Sequence, residues 1–71
     1  MKLIKKTVFK KGVETVTIKS YYDNNHNKMV SINARAFDTT FYRHYDVDNS
    51  DGSWYEYWVE SHLADGYELV L

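Results

Sequence analysis

The sequence predicts a small α+β domain, an antiparallel sheet of four to five strands with one C-terminal helix packed on one face, in the order β-β-β-β-α-β. Residues 2–47 alternate apolar and polar side chains in short runs separated by Gly-, Asn- and Asp-bearing breaks, the pattern of half-buried strands. Residues 53–64 instead repeat their apolar side chains at the spacing of a helix. A last apolar stretch, YELVL, follows Gly66 and reads as a closing strand.

Each element follows from its residues. In KLIKKTVFK, 2–10, Ile4 and Val8 fall on one face and Leu3 and Phe9 on the other, and the lysines suit an exposed edge. KKG at 10–12 is a turn in which Gly12 can take positive φ. In VETVTIKSYY, 13–22, Val16, Ile18 and Tyr22 share one face, and Thr15, Thr17, Lys19 and Tyr21 the other. DNNHN, 23–27, is a hairpin loop, because Asn and Asp tolerate left-handed backbone and bond their own main chain. KMVSINARA, 28–36, alternates cleanly, with Val30, Ile32, Ala34 and Ala36 opposite Met29, Ser31, Asn33 and Arg35. FYRHYDV, 41–47, sets Phe41, Tyr45 and Val47 against Tyr42, His44 and Asp46 and reads as a fourth strand. A short helix is the alternative there, since Phe37, Phe41 and Tyr45 are spaced by four.

In SWYEYWVESHLA, 53–64, the residues Trp54, Trp58, His62, Tyr55, Val59 and Leu63 fill one half of the helical wheel. Trp54, Trp58 and Leu63 are the expected anchors on the sheet. Asp51 or Ser53 is the expected N-cap, Ser53 and Glu56 have capping-box spacing, and Gly66 suits the left-handed C′ position. The stretch ADGYELV, 64–70, resembles the helix–glycine–strand ending of a family of small bacterial proteins without known activity, and no function is carried over from it.

Length and composition bound the rest. Seventy-one residues make a single domain, 1–71. A core of that size contributes only about 3–5 kcal/mol. Disulfides cannot add to it, because the chain has no cysteine. Seven Tyr, three Phe and two Trp can, since each aromatic buries a large area. A homodimer is the other route to added stability. No run approaches the roughly 20 apolar residues of a membrane span, and the basic N-terminus lacks the continuous apolar stretch of a signal peptide. The expectation is a cytoplasmic protein that does not enter membranes. A composition rich in Lys, Asn and Tyr with only two Arg points to an AT-rich bacterial or phage genome.

The net charge of −1 hides a split: residues 1–36 carry eight cations and two acids, residues 37–71 one cation and eight acids. The acidic stretch DVDNSDG, 46–52, fails as an EF-type calcium loop, because glycine comes one residue late and Tyr57 stands where a bidentate Glu is needed. His44 and Asp46 fall on one strand face, but neither Asp48 nor any other residue supplies a clear third metal ligand, so neither a metal nor a cofactor is expected. No nucleophile–base pair and no glycine-rich phosphate loop can be assembled, and an enzyme is not expected.

Two surfaces remain. Asp46, Asp48, Asp51, Glu56 and Glu60 form an acidic pole suited to charge-complementary docking on another protein, as in a small regulator or inhibitor. The alternative is a nucleic-acid platform on the sheet face away from the helix. Alternation places Lys19, Tyr21, Asn33, Arg35, Tyr42 and His44 there, beside Thr15, Thr17 and Ser31. The aromatic–glycine pattern of an RNA-recognition sheet is absent.

Overall fold

The computed structural model of the chain describes residues 1–48 and 51–70. It has the expected architecture and element order. β1 (Lys2–Lys11), β2 (Glu14–Tyr22), β3 (Lys28–Ala36) and β4 (Thr39–Val47) form successive antiparallel hairpins, α1 (Ser53–Ala64) crosses one face, and β5 (Glu68–Leu69) returns to the outer side of β1. The sheet order is β4-β3-β2-β1-β5. Residues 41–47 are therefore strand, and the helical alternative is excluded.

The three hairpin turns solve the chain reversal differently. Gly12 takes φ 60° in a two-residue loop between Lys11 and Glu14. In the second loop Asp23 Oδ1 accepts the N–H groups of Asn25 (2.8 Å) and Asn27 (2.9 Å), while His26 takes the left-handed conformation. Those bonds, the one from Asn27 foremost, hold the Asp23 carboxyl below its usual range. The third loop is Phe37–Asp38 with φ 52° and 63°, a type I′ pattern built without glycine. Phe37 is 82% exposed, so packing does not compensate its left-handed backbone. Replacing the pair with Asn-Gly (Phe37→Asn, Asp38→Gly) should therefore stabilise the domain by about 1 kcal/mol. Thermal unfolding should show it as a rise of roughly 4–8 °C; an unchanged or lower midpoint would mean that the turn is not strained.

Two β-bulges change which way side chains point. One residue, Ile4, is extra in β1 between the Leu3–Tyr21 and Lys5–Ser20 pairs. Another, Phe41, is extra in β4 between the Ala34–Tyr42 and Arg35–Thr40 pairs. A one-residue slip moves every later side chain to the other face. Leu3 therefore sits with Val8, opposite Phe9, which corrects its expected place beside Phe9.

The core lies between the sheet and α1: Phe9, Val16, Ile18, Val30, Ile32, Ala34 and Tyr55, with Trp58, Val59 and Tyr67 packed against them. Tyr55 anchors the helix. Its hydroxyl is hydrogen-bonded to Thr7 Oγ1, and Lys5 Nζ lies 5.0 Å from its ring centre. Trp54 and Leu63, expected as anchors, are 40% and 49% exposed. They occupy the two ends of the apolar half-wheel, whereas Tyr55 and His62 occupy its middle, and the sheet covers only the middle. His62 stacks on Phe9 (5.7 Å) and donates from Nδ1 to the Trp58 carbonyl (2.7 Å).

The helix ends also differ in part from expectation. Gly52 is the N-cap, with φ 76°, rather than Asp51 or Ser53, and Glu56 turns to Lys5 instead of closing a capping box. Side chains from before the helix bind its first N–H groups: Asp51 Oδ1 accepts from Ser53 (3.0 Å) and buried Asp48 Oδ1 from Trp54 (3.2 Å). At the other end Gly66 takes the expected left-handed C′ role. Its N–H donates to Leu63 O, and that of Tyr67 to His62 O, the paired bonds of a Schellman motif. No helix among the described residues is long and apolar enough to cross a membrane.

Candidate polyanion interface on the open sheet face

The registers divide the charged side chains between the faces of the sheet. Lys6, Lys10, Lys19, Arg35 and Arg43 point to the open face, where β1–β4 place no carboxylate at all. Glu68, opposite Lys10 on β5, is the acid at its margin. The helix side carries Glu14, Asp46, Asp48, Asp51, Glu56, Glu60 and Asp65. The acids thus gather on the helix side, while the cations divide: Lys2, Lys5, Lys11 and Lys28 share that side with them, and the other five stand on the open face. Lys5 with Glu56, 3.3 Å apart and both well exposed, is the one ion pair among the described residues.

The open face is concave. A depression of about 510 Å³ is lined by Met1, Leu3, Lys19, Tyr21, Ser31, Asn33, Arg43 and Tyr45. Bulges in β1 and β4 lie on either side of the central β2–β3 pair, and a bulge increases local strand twist. Arg43 Nε donates to Asn33 Oδ1 (3.1 Å), which holds the guanidinium over the floor. Tyr45 is 66% exposed and Tyr21 half-buried, and neither ring stacks on another aromatic among the described residues. The depression thus combines two cations, two amphipathic rings and amide and hydroxyl groups, with no carboxylate to repel an anion.

Of the residues expected on this platform, Lys19, Tyr21 and Asn33 meet in the depression. Arg35 lies on the same face near the β3–β4 turn, where it donates to Asp38 O (3.3 Å). Tyr42 and His44 are not there. They point to the helix side, 6.5 Å apart ring to ring, with His44 tilted on Trp58 at 6.2 Å. The Phe41 bulge is the reason: continued from the turn without it, the pairing would set Phe41 opposite Ala34 and Tyr42 on the open face. The same bulge delivers Arg43 and Tyr45, which the sequence pattern had not selected.

The five acids of the expected pole all lie on the helix side in different states. Asp48 is buried in its capping role and Glu56 faces Lys5. Asp46 Oδ1 accepts the Val47 N–H (2.8 Å). The N–H of Ser53 holds the Asp51 carboxyl below its usual range. Glu60 is exposed. Asn49 and Ser50 of the DVDNSDG stretch lie outside the described residues. Among the described residues no three His, Cys, Asp or Glu side chains converge as metal ligands would.

Neither a protein-family model, nor a curated protein, nor a solved structure matches the chain.

Proposed function

We propose that this is a non-catalytic, cytoplasmic nucleic-acid-binding domain that takes single strands on its open sheet face. The observation behind the reading is the sorting of five cations and no carboxylate onto that face of β1–β4, around a depression holding Tyr21 and Tyr45. Cations track a phosphate backbone without reading sequence, and flat rings stack on any base. A concave sheet holds an unpaired strand better than a rigid duplex. An NMR titration of the labelled protein with oligothymidylate tests this. Amide shifts should cluster at Lys19, Tyr21, Ser31, Asn33, Arg43 and Tyr45. Shifts confined to α1, or none at low salt, would overturn the reading.

A second reading is favoured by one feature of the helix side. Trp54 and Tyr57 are both exposed and meet edge-to-face at 5.5 Å, within the acidic region of Asp51, Glu56 and Glu60. Exposed aromatics among acids suit docking on a basic protein partner, as a small bacterial or phage regulator or inhibitor would do. Such docking would leave the open face free.

A further inference from the structure

The two edges of the sheet are treated differently. The outer side of β1 is paired with β5 at Phe9 and Lys10, Val70 N–H adds a bond to Val8 O (2.8 Å), and the stretch before them carries Lys2, Lys5 and Lys6. The outer side of β4 pairs with no strand among the described residues; β4 is nine residues long, has no lysine or proline, and beyond the Phe41 bulge residues 42–47 run as a regular edge. Phe41, Tyr45 and Val47 on it are each more than half exposed.

The direction of its free polar groups follows from one bond. Asp48 N–H donates to Lys28 O (2.8 Å), so in an antiparallel ladder Asp46, His44 and Tyr42 also turn their backbone groups toward β3. Arg43, Tyr45 and Val47 turn theirs outward. The Val47 N–H is bound by Asp46 Oδ1, which leaves Arg43 and Tyr45 as the outward pair able to both donate and accept.

We infer that β4 pairs antiparallel with β4 of a second copy of this chain, with His44 on the two-fold axis. In that register Arg43 and Tyr45 of opposite copies exchange backbone bonds, twice by symmetry. On the open face each Arg43 guanidinium lies beside the ring of Tyr45 of the second copy. On the helix side each Tyr42 hydroxyl faces an Asp46 carboxylate. Centring on Arg43 would instead oppose like charges, and centring on Tyr45 would leave Arg43 against Val47. The edge is therefore self-complementary in one register. The two open faces would run on as one sheet surface, but the pairing itself does not depend on what that surface binds.

Sedimentation equilibrium of the full chain without nucleic acid, from micromolar to millimolar concentration, tests the pairing. The mass should approach twice the 8.4 kDa of the chain. Tyr45→Lys sets a lysine against Arg43 of the other copy at two sites and should weaken dimerisation about tenfold. Tyr45→Glu sets a carboxylate there and should preserve or tighten it. Circular dichroism checks that both variants keep the fold. A single-chain mass throughout, or equal weakening by both substitutions, would overturn the proposal.

Discussion

Tyr55→Ala is expected to leave most of the chain unfolded at 25 °C. Removing a buried aromatic ring costs about 3–5 kcal/mol. A core of this size contributes about the same amount in total. Tyr55 is 4% exposed and is the one fully buried side chain of α1, so the helix loses its main attachment when the ring goes. The Thr7 hydroxyl loses its partner in the same step. Tyr55→Phe should cost only about 1 kcal/mol, because the ring stays and one hydrogen bond is lost. Trp58→Ala should fall between the two, as Trp58 is only partly buried. Urea unfolding followed by circular dichroism orders the three. A Tyr55→Ala protein with a near-normal midpoint would mean that α1 is not held by that ring.

Reversing both cations of the depression, Lys19→Glu with Arg43→Glu, should weaken oligothymidylate binding by about a hundredfold at low salt while leaving thermal stability nearly unchanged. Two favourable phosphate contacts become two repulsive ones, and each contact contributes to affinity through released counterions. Both side chains point away from the core, and surface substitutions of this kind usually change stability by less than about 0.5 kcal/mol. The matching control is Glu56→Lys with Glu60→Lys on the helix side, which should leave affinity unchanged or slightly raise it. Equal losses from both pairs would indicate that net charge, and not the open face, governs binding.

The strands, the helix and their order were legible because their signals are local. Val16 and Ile18, or Val30, Ile32 and Ala34, state their shared face by period alone, and Gly66 announces the helix end. The helix orientation was half legible: the wheel contained the right residues, but only contact with the sheet shows that Tyr55 and His62 sit at its centre. The binding face was less legible still. Its composition on β2 and β3 could be read directly. On β4 it depended on an extra residue at Phe41, and a bulge leaves no reliable trace in a sequence without glycine at that point. The Phe37–Asp38 turn was equally hidden, because type I′ turns are recognised by Asn and Gly and this one uses neither. The charge split was visible from the start, but it read as two halves of the chain. The sheet registers sort it differently: the acids gather around α1, and of the cations five stand on the open face while Lys2, Lys5, Lys11 and Lys28 stay on the helix side.

The most direct measurement is the affinity of the wild-type domain for oligothymidylate across a salt series. With about five phosphates neutralised, the logarithm of the binding constant should fall with the logarithm of salt concentration at a slope near −3.5. A slope near zero, or no binding in dilute buffer, would show that the cations gathered on the open sheet face do not hold a phosphate backbone.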